Sequence, residues 1–163
     1  MKTQCDTIIR AVVICCAIAV ALNDSRLFAA DAEVTGTFNG NDQPAKLAFV
    51  SIHKGTPVGG KETLQLVFTE KDHSKDEQPG LNALFGHFGS ALLIGISPDG
   101  KVVTCDIVHQ ALTQKPISSP TSVKMQEFKN EGGFISGKLA TNGKDEAFGQ
   151  NWEVNLTFKA KAP

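Results

Sequence analysis

Histidine is the side chain best suited to proton transfer and metal ligation near neutral pH, and this chain of 163 residues carries four: His53, His73, His87 and His109. None stands in H-E-x-x-H spacing or beside a C-x-x-C pair, the arrangements that bring two zinc ligands to one place. His53 and His109 fall at the ends of expected strands, where side chains from separate strands can converge, and Asp106 lies one strand turn before His109. His53, Asp106 and His109 are therefore the residues expected to bind a ligand or metal, or to exchange protons. The alternative for strand-end histidines is simpler: they face water or cap a loop.

The remaining reactive residues point to structure. Gly89-Ser90-Ala91 is not the G-x-S-x-G elbow that exposes a nucleophilic serine beside backbone oxyanion donors, so no catalytic residue is assigned. Adjacent carboxylates at Asp76-Glu77 and Asp145-Glu146 tend to point apart and to solubilise a loop. The oxygen-rich stretches around Asn39-Gly40-Asn41-Asp42 and Asn142-Gly143 do not fit a twelve-residue calcium loop and read as turns. Cys105 shares a strand face with Val103 and Ile107 and reads as a small buried hydrophobe. No cofactor is expected.

The first thirty-two residues set the compartment. Lys2 and Arg10 precede an apolar run over residues 11–22, too short for the ~18–20 residues that cross a bilayer, and small residues follow at Ala29, Ala30 and Ala32. Residues 1–32 thus read as a signal helix, a secretory signal peptide cleaved after Ala30 or Ala32. A permanent membrane helix is the rival, but Asn23, Asp24 and Arg26 end the run early. Lipid attachment at Cys15 or Cys16 would want a small residue before the cysteine, where Ile14 and Cys15 stand. The expected location is secreted or periplasmic, with no membrane association once the signal is removed.

Residues 33–163 are the right length for one domain. They keep only Cys105, so no internal disulfide is expected, and a cysteine-stapled scaffold is excluded. From Glu33 onward there are 13 Lys, no Arg and 14 Asp plus Glu, with the lysines dispersed along the chain. That near-neutral balance, lacking the residue that grips phosphate in two-point fashion, argues against nucleic acid as a partner. With no Tyr and one Trp, exposed aromatic platforms for sugars or bases are hard to assemble.

Apolar runs alternate with turn clusters about every ten residues, which predicts an antiparallel all-β fold, a sandwich or flattened barrel of about eight strands with one short helix. A first hairpin joins residues 34–38 to 45–53 through Asn39-Gly40-Asn41-Asp42. Residues 62–69 alternate as a half-buried strand. Residues 71–78, dense in charge, are expected to be a solvated loop. Leu81, Leu84, Phe85 and Phe88 recur at helical spacing and predict a helix over 81–88 that plugs an open end of the core. Residues 90–97 form a doubly apolar, central strand, and Ser97-Pro98-Asp99-Gly100 turns it into residues 101–109. Residues 121–128 and 134–141 make a third hairpin, and 152–161 close the domain with strict alternation.

These features favour a small exported non-enzymatic β domain that binds a protein, glycan or small ligand through its loops or an open end. Leu47, Phe49, Leu93 and Phe158 outline a core that would be hollow only in a barrel. The first alternative is a structural or interaction module of the cell envelope, using apolar residues 48–52 as its partner face. The second is a metal-dependent or hydrolytic enzyme built on His53, Asp106 and His109.

Overall fold

The computed structural model describes residues 32–163, so residues 1–31 of the predicted signal segment, Ala30 included, lie outside the described residues. Ala32 opens the first strand. Eleven strands and one helix follow in the order β1 (Ala32–Gly40), β2 (Gln43–Ala45), β3 (Phe49–Lys54), β4 (Leu64–Thr69), α1 (Pro79–Leu84), β5 (Ala91–Ile96), β6 (Val102–Val108), β7 (Ile117–Ser118), β8 (Lys124–Glu131), β9 (Phe134–Ala140), β10 (Asp145–Ala147) and β11 (Gln150–Lys161). The eight long strands match the number expected. The three extra ones, β2, β7 and β10, hold two or three residues each, too few for periodicity to register.

The strands form two antiparallel sheets that pack as a sandwich. One runs β2-β1-β11-β9-β8 with β10 also against β11, and the other runs β3-β4-β5-β6-β7. β11 explains the first sheet. Its alternation buries Trp152, Val154, Leu156, Phe158 and Ala160 and leaves Asn155, Thr157, Lys159 and Lys161 outside. Phe38, Ile135 and Leu139 join it from the neighbouring strands, while Ile52, Leu66, Phe68, Leu92, Ile94, Cys105 and Ile107 face them from the second sheet. Burial on this scale is the main source of stability, since Cys105, the one cysteine among the described residues, is free.

The hairpin at Ser97-Pro98-Asp99-Gly100 forms as its residue types dictate: the Gly100 N–H donates to the Ser97 carbonyl at 2.8 Å, and Gly100 takes φ +84°. The hairpin between β8 and β9 is also present, although β8 begins at Lys124, three residues later than expected, and bulges between Gln126 and Lys129.

Four expectations are corrected. Residues 45–53 are not one strand: β2 pairs with β1, the chain then crosses between the layers at Lys46, Leu47 and Ala48, and β3 begins on the other sheet. β4 is buried on both faces, because Val67 and Thr69 lie under a covering segment. The helix spans Pro79–Leu84 and sits on the outer face of the second sheet, where Ala83, Leu84 and Phe88 pack on Val67, Ala91, Leu93 and Val108. It does not plug the core, and Phe85, its C-cap, is 71% exposed. Finally, of the four residues expected to outline one core, Leu47 and Phe158 do so, whereas Leu93 lies under the helix and Phe49 faces out. The expectation of β5 as a central, doubly buried strand holds: all six of its residues are buried and it lies third of five.

Candidate functional site

His53, Asp106 and His109 fall in three places. His53 faces outward on β3 in the row that continues through Gln65, Gly95 and Thr104. Asp106 faces outward on β6, three strand spacings or about 14 Å across the sheet, and accepts a hydrogen bond from the Ser118 hydroxyl on β7. His109, just past β6, turns into the space between the layers. Its ring meets Phe38 edge-on at 5.1 Å, and it packs so closely on Gly40 that a Cβ there would lie 2.5 Å from its Cγ. Among the described residues no three His, Cys, Asp or Glu side chains gather to hold a metal ion.

His53 instead joins a residue that sequence patterning placed in a solvated loop. His73 is only 4% exposed and folds back onto the sheet. Its Nε2 lies 2.7 Å from the Ser51 hydroxyl, which lies 2.7 Å from His53 Nε2, and its Nδ1 lies 2.6 Å from the Thr69 hydroxyl. Thr69 donates to the Lys71 carbonyl at 2.7 Å, and this bond sets the direction of the chain. Thr69 must accept from His73 Nδ1–H, so His73 Nε2 accepts from Ser51, and Ser51 accepts from His53 Nε2–H.

Such a seam fastens the segment after β4 to the edge strand β3 and can take up a proton. Burial pulls His73 below the ordinary imidazole range, neighbouring His53 adds to this, and Asp72 and Asp76 oppose it. Burial likewise lowers His53. A hydroxyl beside an imidazole is the geometry of general-base activation, but Phe88, with its ring 5.8 Å from that of His73, encloses the base. The chemistry on offer is that of a titratable latch. Its one sequence signal was a histidine amid charges, which is equally common in open loops.

His109 is lowered by burial too, against the opposing Glu70 carboxylate. Its Nδ1 accepts from the Ala111 N–H at 3.1 Å, and its buried Nε2 has no hydrogen-bond partner among the described residues. Cys105 is buried in the core as expected, and burial pushes its thiol up to about 12, so it stays protonated and unreactive.

A cleft of about 460 Å³ opens at the end of the sandwich where β3 and β4, the β5–β6 turn and the β8–β9 hairpin come together. Leu64, Ile135, Ala162 and Pro98 give it an apolar lining, and Lys54, Glu62 and Asn130 bring polar groups to it. Residues 55–63 arch beside it as a small hairpin, closed by two backbone bonds between Val58 and Lys61 at 3.0 and 3.1 Å and braced by Thr63 donating to the Thr56 carbonyl at 2.8 Å. No spacing rule connects these lining residues in sequence, so the cleft could not be read from it.

Fold and cleft together define an antiparallel β sandwich with an open, partly apolar end. Comparison with known protein families, with characterised proteins and with solved structures returns no match.

Proposed function

We propose that this protein is an exported, non-enzymatic β sandwich that binds a small ligand in the cleft at its open end. The observation that carries this is the cleft itself: its volume lies within the range of small-molecule sites, its lining is mainly apolar, and a few polar groups stand ready to orient a ligand. Lys54 and Glu62 at opposite signs favour a compound with an apolar body and one polar or charged handle.

Titration with 8-anilinonaphthalene-1-sulfonate, an apolar ring system carrying one anionic group, tests the cleft. A saturable fluorescence increase with one site per chain is expected, and Ala162→Trp, which places an indole in the cleft, is expected to abolish it while leaving the melting temperature within a few degrees. An equal signal from both proteins would remove the cleft as the binding site.

Export is supported by the charged start, short apolar run and small residues before Ala32. Cleavage after Ala30 is favoured over Ala32, because Ala32 pairs with Ala160 as the first rung of β1 against β11. N-terminal sequencing of protein recovered from outside the cytoplasm is expected to begin at Asp31. An intact Met1 on that protein would refute signal removal.

A further inference from the structure

The lysines that look dispersed in sequence converge in the sheet. On the outer face of the six-stranded sheet, β11 presents Lys159 and Lys161, β9 presents Lys138, and β8 presents Lys124 and Lys129. The buried neighbours Ile135, Leu139, Leu156 and Phe158 establish that these alternating positions point outward. Four consecutive rows cross the three strands: Lys124, Ala140 and Asn155; Gln126, Lys138 and Thr157; Lys129, Ser136 and Lys159; Glu131, Phe134 and Lys161. Each row contains a lysine.

Lys124, Lys138 and Lys159 lie on a diagonal, each one strand and one row from the last, about 8 Å per step. A groove of about 340 Å³ runs beside that line between Lys129, Ser136 and Lys159, with Phe134 in its wall. The Lys159 ammonium lies 4.8 Å over the Phe134 ring, which holds the charge at the groove. Acidic residues border the line on both sides: Glu33 on β1 stands directly opposite Lys159, Glu131 shares the Lys161 row and lines the groove, Glu127 sits in the β8 bulge, and Glu153 lies at the far end of β11. This leaves Lys124 and Lys138 as the lysines with no acidic residue in their rows across β8, β9, β11 and β1.

We propose that this face is a binding surface for an anionic polysaccharide. A regular line of ammonium groups matches a polymer with repeating carboxylate or sulfate groups, each met as a point charge. Thr157, Gln126, Asn155 and Ser136 lie between the lysines and supply hydrogen-bond partners for sugar hydroxyls. The absence of arginine after residue 26 and of exposed aromatic stacking groups on the face disfavours nucleic acid. A lipid surface would call for large apolar side chains projecting outward to insert, and among the described residues this face offers only the half-buried Phe134.

The test uses the purified protein with polygalacturonate as the probe and neutral dextran as the control. Binding to polygalacturonate at low salt, falling steeply as salt rises, and none to dextran are expected. Lys138→Gln/Lys159→Gln/Lys161→Gln should weaken it by roughly tenfold or more, whereas Lys46→Gln/Lys75→Gln, which removes the same kind of charge elsewhere, should leave it within about twofold. Ala162→Trp should leave it unchanged, so failure at the cleft and failure at this face are separate results. No binding to polygalacturonate, equal losses in both lysine variants, or tighter binding to phosphatidylglycerol vesicles or oligo-dT would each overturn the proposal.

Discussion

Trp152→Ala is expected to lower the stability of the fold by about 3–5 kcal/mol and its melting temperature by roughly 10–20 °C. Trp152 is among the largest fully buried side chains and sits where β11 is flanked by β1 at Gly40 and by β10 at Asp145. Its indole N–H donates to the Ser122 hydroxyl at 2.8 Å, tying the start of β8 to the core. Truncation leaves a cavity between two sheets whose backbones cannot collapse far, and it strips a buried hydroxyl of its partner. Against a typical total of about 5–15 kcal/mol, the loss is large enough to depopulate the native state on mild heating. Trp152→Phe separates the two contributions, since it keeps most of the volume and should cost about 1–3 kcal/mol. Because Trp152 is the only tryptophan, the variants need circular dichroism in a urea titration. A loss below about 1 kcal/mol for the alanine variant would show that the layers repack without it.

Acidification from about pH 7.5 to about pH 5 is expected to destabilise the protein, through histidines and before carboxylates contribute. His53, His73 and His109 all have folded-state values below the ordinary imidazole range, with burial as the main cause. The unfolded chain therefore binds protons first, near an ordinary value of about 6.5. Stability from these groups is complete above that value and is lost as pH falls toward the depressed folded values. Asp72 and Asp99, lowered chiefly by hydrogen bonds from Ser74 and Ser97, lose their contribution only in the more acid carboxylate range. His73 carries a structural consequence as well. A proton on its Nε2 removes the acceptor for Ser51 and loosens the segment that packs α1 on the sheet. Urea midpoints across this window should fall with acid, and His73→Gln should make the fall shallower. A midpoint independent of pH in both proteins would remove the latch.

Much of the architecture was legible because strand period and turn chemistry are local. The alternation of Trp152, Val154, Leu156, Phe158 and Ala160 specified β11, and Pro98 with Gly100 specified the β5–β6 turn. The crossing at Lys46, Leu47 and Ala48 was not legible, because Leu47 fits an apolar rhythm whether the chain continues or changes layers. The outward turn of Phe85 was missed because helical spacing shows which residues share a face and not whether anything covers it.

By itself the sequence determined an antiparallel all-β fold, the doubly buried centre at β5 and the buried thiol of Cys105. These follow from side-chain period, residue count and turn residues, which the chain carries within a few positions. Only the tertiary structure decided that His73 meets Ser51 and His53, that Asp106 and His109 stay apart from them, that an end cleft opens beside Leu64 and Ile135, and that five lysines share one face. Each of these depends on strand order and register between segments far apart in the chain, which no local pattern encodes.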